Sequence, residues 1–570
     1  MATVSSRMDR HEELVNAKDA VGNTSAEYSM LMHGINTCAA PLVHQIVRQN
    51  PQLVHQKGWH SQTPLHKASL GGDWTIIYLL LEAGADPNMC NDFDETPLHY
   101  VCRRGIASNV HLMLQHNADI QLTDKQGRSV VHHAAQSGSV CVLHYLNSVH
   151  NLSLQAMDNN LQTPLHIVCQ MGHLEALKYL TKNQRSDVFQ KDVDGNTVLH
   201  LTAKEGFSHI SWILLNVGDC SLLHMKNKQN MTPLDLVLEN PKKKSDHKQL
   251  VSLLSYMSSK KSNQKPPSPL FIWWLQLLQP CLVYTSMLVI AHMTGDQYQG
   301  AVAIFALLYF LFLLRKHSHR MNHVCKWPNP VYAGMFSAGL LYSIFTYFLI
   351  LLPNTRDYIF LHCLSPFLTT LLLYLYWKML RTDPGTIRYS LSKDGTNCPY
   401  TLKDLCVPPL KVEIFCEECE IVRSPRVKHC RLCVTCFQNM DHHCLFLLKC
   451  VAKNNHTLFV WFLICCAASL SFFLLTALLY CVNVYKDFTV LETVVILIRS
   501  NIWILTLSTM DLFSLAWILT LIRFQFIIVS QGNTTYFQKS DSVLTSTEKL
   551  LNIAYFLQGK QPFASDPFAA

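Results

Sequence analysis

From residue 270 onward apolar residues gather into long runs, at 270–293, 299–314, 331–352, 358–379, 457–482 and 503–529. Each approaches the roughly 20 residues an α-helix needs to cross a bilayer, and the second run is the shortest. The pattern predicts six transmembrane helices. Basic residues sort the loops between them. The linker before the first run holds Lys242, Lys243, Lys244, Lys260, Lys261 and Lys265, and the loop after the second holds Arg315, Lys316, Arg320 and Lys326. The loop after the fourth opens with Lys378 and Arg381, whereas Thr294–Gly300 has no basic residue and 353–357 and 483–490 have one each. Lys and Arg accumulate on the cytosolic side of membranes, so both termini and the long 380–456 insert are expected there. Asp511 falls inside the last run, where a charge is costly and normally turned inward.

Before residue 270 the pattern is a repeat. Thr63-Pro64-Leu65-His66 returns at Thr96-Pro97-Leu98-His99, weakens to Ser129-Val130-Val131-His132, and recurs at Thr163-Pro164-Leu165-His166, Thr197-Val198-Leu199-His200 and Thr232-Pro233-Leu234-Asp235. The spacings are 33, 33, 34, 34 and 35. This period and anchor resemble ankyrin repeats, in which Thr-Pro opens a helix and the His supports the turn between repeats. An anchorless segment at 30–54 fits a terminal capping repeat, so about seven repeats are expected over 26–256. The resemblance implies a concave face that holds client peptides, and it makes the periodic histidines structural.

Composition agrees with a part-membrane chain: 49% of the 570 residues are hydrophobic and 15% charged, with a mean hydropathy of +0.13. Lys plus Arg exceed Asp plus Glu by 8, an excess that suits a cytosolic surface beside anionic lipid rather than nucleic acid. The opening residues, MATVSSRMDRHEEL, contain no apolar signal core. The 21 cysteines are therefore expected in a reducing setting, as ligands, nucleophiles or core residues rather than bridges.

Chemistry concentrates between Cys416 and Phe459. Cys416, Cys419, His429, Cys430, Cys433, Cys436, His442, His443, Cys444 and Cys450 put seven cysteines and three histidines into 35 residues, with three C-x2-C steps of the kind that grip tetrahedral zinc. Two closed sites take eight ligands, which leaves one Cys and one His over. A spare thiol beside a spare imidazole, with Asp441 to orient the ring, is what nucleophilic catalysis needs. Counting does not say which pair is spare.

The string around Asp441-His442-His443-Cys444 resembles the cysteine-rich domain of DHHC-type protein S-acyltransferases, and the repeats make the chain similar to their ankyrin-repeat subgroup. The resemblance implies one zinc on Cys416, Cys419, His429 and Cys436 and a second on Cys430, Cys433, His443 and Cys450. Cys444 is then the nucleophile, with His442 and Asp441 activating it. Asp383-Pro384-Gly385 matches the family's D-P-G, and Asn533-Thr534-Thr535 the start of its T-T-x-E, whose second Thr, here Thr535, is expected on the catalytic Asp. Phe537 replaces the Glu, Leu445-Phe446 the usual Pro-Trp, and Ala452 a Gly. These departures bear on turnover and chain-length preference.

The expected architecture is mainly α. Repeats at 26–256 and a basic Pro-rich linker at 257–269 lead to four membrane helices at 270–379. A cytosolic zinc-binding insert at 380–456, two more helices at 457–530 and a cytosolic tail at 531–570 follow. The expected function is transfer of palmitoyl from palmitoyl-CoA, through an acyl-Cys444 intermediate, to cysteines of proteins recruited by the repeats. Arg423, Arg426, Lys428 and Arg431, with Thr535, are the candidate residues around the bound donor, where basic groups would pair with its phosphates. The family points to Golgi or endoplasmic reticulum membrane. Two rivals are a scaffold that has lost turnover and an ankyrin-repeat ion channel. A channel has no use for a zinc-spaced insert, and Leu491–Ser500 contains no filter-like sequence.

Overall fold

The computed structural model describes residues 25–239, 245–259, 270–294, 329–392, 399–407, 414–537 and 544–559, with Phe305, Leu308, Tyr309 and Phe312 in addition. Most of the second apolar run, the basic residues of the loop after it, and most of the 257–269 linker lie outside the described residues. The chain divides into two units, one of Met1–Pro267 with Tyr389–Val422, the other of Ser268–Arg388 with Arg423–Ala570.

In the first unit the repeat anchors start helices as their chemistry requires. Pro fills the first helical position, where its missing N–H costs nothing, and the preceding Thr caps the helix. The anchor histidine closes the cap: Thr63 N–H donates to His66 Nδ1 at 3.1 Å. Its other ring nitrogen, Nε2, lies 3.0 Å from the Glu95 carbonyl oxygen of the next repeat. The same bridge joins His132 to Gln162, His166 to Gln190 and His200 to Met231. In the last repeat Asp235 takes the histidine's place and accepts from Thr232 N–H at 2.9 Å. Helix pairs follow each anchor, from Pro64–Gly71 with Trp74–Glu82 to Pro233–Glu239 with Ser245–Ser258, and Ser25–Asn36 with Ala40–Gln49 precede them. Leu65, Leu98, Val131, Leu165 and Leu199, one per period, are buried in a core that runs through the stack.

That core also takes in residues from beyond the repeats. The short helix Leu402–Leu405 and a hairpin of β2 (Phe415–Cys416) and β3 (Ile421–Val422) place Leu402, Leu405, Cys406, Phe415 and Val422 in the same apolar cluster.

In the second unit, four helices among the described residues are long and apolar enough to span a membrane: Val331–Asn354, Ile359–Arg381, His456–Val484 and Ile502–Ser530. They coincide with the third to sixth predicted runs. The first predicted run is the 25-residue helix Leu270–Thr294, which carries Pro280. The expectation of six spans is thus met for four. The unit's strands are short. β1 (Thr386–Ile387), β5 (Thr435–Gln438) and β4 (Val427–Cys430) form one antiparallel sheet, and β6 (His442–Cys444) pairs with β7 (Lys449–Val451). The D-P-G stretch ties the helix Ile359–Arg381 to the first sheet: Asp383 accepts from Thr386 Oγ1 at 2.6 Å, and Gln438 and Asn454 donate to the Gly385 and Pro384 carbonyls at 3.1 Å each.

Candidate active site and metal centre

Strand β6 is three residues long, and its geometry separates two kinds of chemistry. Successive side chains of a strand point to opposite faces, so His442 and Cys444 share one face and His443 takes the other. Register sets His443 opposite Cys450 on β7. The His443 Nδ1 then stands 3.6 Å from Cys430 Sγ, 3.3 Å from Cys433 Sγ and 3.5 Å from Cys450 Sγ. Cys433 and Cys450 Sγ are 3.5 Å apart. Zinc bonded to sulfur and nitrogen at about 2.0–2.3 Å makes tetrahedron edges of roughly 3.4–3.8 Å, which these separations fit. Three soft thiols and one imidazole, with Cys430 and Cys450 buried, are a zinc donor set. Of the other predicted set, His429 and Cys436 are cross-strand partners on β4 and β5, with Nδ1 3.7 Å from Sγ. Cys416 and Cys419 belong to the β2–β3 hairpin of the first unit.

On the opposite face of β6 a chain of hydrogen bonds leads to His442. Its Nδ1 lies 2.7 Å from Asp441 Oδ2. Asp441 is fully buried and its oxygens are all engaged: Thr535 donates from N–H and Oγ1 to Oδ1, each at 2.8 Å, and Gln525 Nε2 donates to Oδ2 at 3.0 Å. His456 Nε2 donates in turn to Gln525 Oε1 at 2.7 Å. Burial pushes the Asp441 carboxyl up, but the hydrogen bonds and nearby histidines outweigh it and hold the group well below the usual carboxylate range. Burial likewise pushes His442 down, while Asp441 and then Cys444 lift its imidazole to about 9. The ring packs edge-on against Phe459 with centroids 5.2 Å apart.

Cys444 opens onto an apolar cavity of about 1110 Å³ whose walls come from the long helices, among them Phe336, Leu340, Leu372, Phe462, Cys466 and Ile518. Leu445 and Phe446 also line it, and Phe446 meets the Tyr332 ring at 6.0 Å. Asp511 lines the same cavity, its Oδ2 accepting from Ser343 Oγ at 3.0 Å.

The other predicted residues separate. Lys428 and Arg431 line the cavity, and Lys428 Nζ stands 5.7 Å from the Tyr536 ring centre. Arg426 is held elsewhere, donating to the Gly532 carbonyl at 3.0 Å, and Arg423 is outside the cavity lining. Thr535 serves Asp441 rather than a donor site. The turn that holds it survives without the family's Glu, because Thr534 N–H donates to the Phe537 carbonyl at 3.1 Å and Phe537 N–H donates to Thr534 Oγ1 at 3.2 Å. Gln525 and His456 were not among the predicted residues. The one sign of Gln525 in the sequence is a polar amide inside an apolar run.

Residues 411–541 match the family model described as DHHC palmitoyltransferase. That segment is similar to DHHC palmitoyltransferases. Ankyrin repeats match in overlapping stretches from 31–124 to 132–221, so the chain joins the two modules. Palmitoyltransferase ZDHHC13 of Homo sapiens is 27% identical over 369 residues, which cover 62% of this chain and 56% of that protein. Palmitoyltransferase swf1 of Schizosaccharomyces pombe is 27% identical over 256 residues, covering 44% of this chain and 70% of that protein. Among solved structures, the human ASB11 ankyrin repeat domain is 24% identical, covers 42% of this chain and 99% of its own, and superposes with a TM-score of 0.35. The chain spans about half the length of the ZDHHC13 relatives it matches.

Proposed function

We propose that this chain is a protein S-acyltransferase that loads a fatty acyl group onto Cys444 and passes it to cysteines of client proteins. The observation that carries the reading is that Cys444 stands outside the Cys430, Cys433, His443 and Cys450 group, shares a strand face with His442 and lines an apolar cavity. Palmitoyl-CoA fits as the donor. Its chain would take the helix-walled cavity, and Lys428 and Arg431, which line it, would meet its phosphates.

The reaction is two thioester exchanges. His442, held by Asp441, takes the thiol proton and keeps it, and the Cys444 thiolate attacks the acyl-CoA carbonyl. CoA leaves as its thiolate, and a client thiolate then displaces Cys444 by the same attack. The two thioesters are of similar energy, so orientation and thiolate formation do most of the work.

Cys430, Cys433, His443 and Cys450 would hold one zinc, and Cys416, Cys419, His429 and Cys436 a second. Bound zinc would brace the short strands and take no part in acyl transfer. In this reading the insert and both termini face the cytosol, the protein sits in Golgi or endoplasmic reticulum membrane, and the repeats recruit clients. The test is purified protein incubated with clickable palmitoyl-CoA. Hydroxylamine-sensitive label on Cys444, lost in Cys444→Ser, supports the enzyme, whereas no label with both zincs present makes the chain a scaffold.

A further inference from the structure

The repeats do more than offer a face to clients, because part of their surface is engaged by the chain itself. The β2–β3 hairpin reads Phe415-Cys416-Glu417-Glu418-Cys419-Glu420, with three carboxylates interleaved with two proposed zinc ligands. Each acidic side chain has a partner on the repeats. Arg185 grips Glu420 with both ends of its guanidinium, Nη1 to Oε1 at 2.9 Å and Nη2 to Oε2 at 2.6 Å. Lys182 Nζ donates to Glu420 Oε1 at 2.8 Å and to the Glu418 carbonyl at 3.3 Å. Lys178 Nζ reaches Glu418 Oε1 at 3.4 Å, and Cys141 Sγ reaches Glu417 Oε1 at 3.3 Å. His144 stacks on Phe415 with centroids 5.2 Å apart.

The partners come from two successive repeats. Cys141 and His144 lie on the second helix of one pair, Val140–His150, and Lys178, Lys182 and Arg185 on or just after that of the next, Leu174–Thr181. The contact is anchored from below, since Leu402, Leu405 and Phe415 enter the core of the repeats. A paired fork between guanidinium and carboxylate fixes orientation as well as distance. Such a contact suits a segment whose two thiols must be presented in one geometry.

We propose that Arg185 and Lys182 are positioning residues for the acyltransferase, holding the segment that carries Cys416 and Cys419 so that these thiols are set for metal. This rests on the acyltransferase reading, and it gives the repeats a task that involves no client. Repeats that only recruit clients matter for transfer to a client and not for loading of Cys444. Repeats that position the hairpin matter for loading itself.

The experiment uses the full chain in nanodiscs with clickable palmitoyl-CoA and no client. The variants are Lys182→Glu with Arg185→Glu, Glu420→Arg alone, and the three changes together. Zinc per chain and the initial rate of Cys444 loading are measured, and limited proteolysis of the repeats reports their folding. The expected result is about one zinc lost and loading at least fivefold slower in the double variant and in Glu420→Arg, with both readouts regained when the charges are exchanged. Unchanged zinc and loading in Glu420→Arg, which leaves every repeat residue in place, overturns the proposal, as does a loss that exchange does not restore. If the parent protein never loads, the acyltransferase reading fails instead, and zinc content still decides the positioning role.

Discussion

Asp441 meets His442 through Oδ2 at 2.7 Å while its other oxygen is held by Thr535. The carboxylate therefore cannot turn away from the ring, and its burial makes any loss of those donors costly. Asp441→Asn keeps the shape and removes the charge that lifts His442, so the rate of Cys444 loading is expected to fall about 100-fold, the order that a positioned proton acceptor contributes. Thr535→Val and Gln525→Leu each leave one oxygen short of a donor and should lower loading about tenfold with zinc retained. Single-turnover loading with clickable acyl-CoA measures all three. Full activity in Thr535→Val would remove the carboxylate's anchoring from the mechanism.

The pH dependence follows from two opposite displacements. The folded protein lifts His442 to about 9, so it binds that proton more tightly than the unfolded chain, whose imidazole titrates near about 6.5. The stability this contributes is complete below about pH 6.5 and is lost as pH rises through about 9. Asp441 is displaced downward, and its contribution is present above about pH 4 and lost as pH falls toward the native value. Thermal unfolding at graded pH is expected to show a decline between about pH 6.5 and 9 in the parent that is absent in His442→Gln. A decline of equal size in both would assign the titration to another group.

Metal content separates ligand from nucleophile. Cys450→Ser removes one sulfur from the cluster around His443 and should release about one zinc and destabilise the insert, since structural zinc contributes folding energy directly. Cys444→Ser should keep the parent's zinc and thermal stability while abolishing loading. Metal analysis by mass spectrometry decides it, and equal zinc loss in the two variants contradicts the division of roles.

The polar pair in the cavity wall predicts a chain-length effect. Ser343, bonded to Asp511, lies about three helical turns along its helix from Tyr332, which packs on Phe446, two residues after Cys444. A methyl terminus reaching that depth meets polar groups instead of hydrocarbon. Asp511→Ala with Ser343→Ala removes both and enlarges the space, and the ratio of loading with an 18-carbon donor to that with a 14-carbon donor is expected to rise severalfold. An unchanged ratio would place the end of the acyl chain elsewhere.

The two modules and the ingredients of the site were legible in the sequence because they are local. Thr63-Pro64-Leu65-His66 and its recurrences specify a capped helix within four residues, and the C-x2-C steps bring thiols within reach of one ion by chain geometry alone. The long apolar runs announce membrane helices by composition. Which cysteine and histidine stand outside the two Cys/His groups was not legible by counting, since ten candidates for eight places admit many divisions. Pairing of β6 with β7 settles the geometry by sending His443 to Cys450 and leaving His442 with Cys444 on the other face. Gln525 and His456 joined the site for the same kind of reason, as they sit on different helices and meet Asp441 only when those helices pack. The grip of Arg185 on Glu420 spans 235 residues, beyond any local pattern. Sequence alone determined the kinds of groups present and their nearest neighbours. Tertiary structure decided which of them face one another, because contact between distant residues depends on strand register and helix packing that no short stretch encodes.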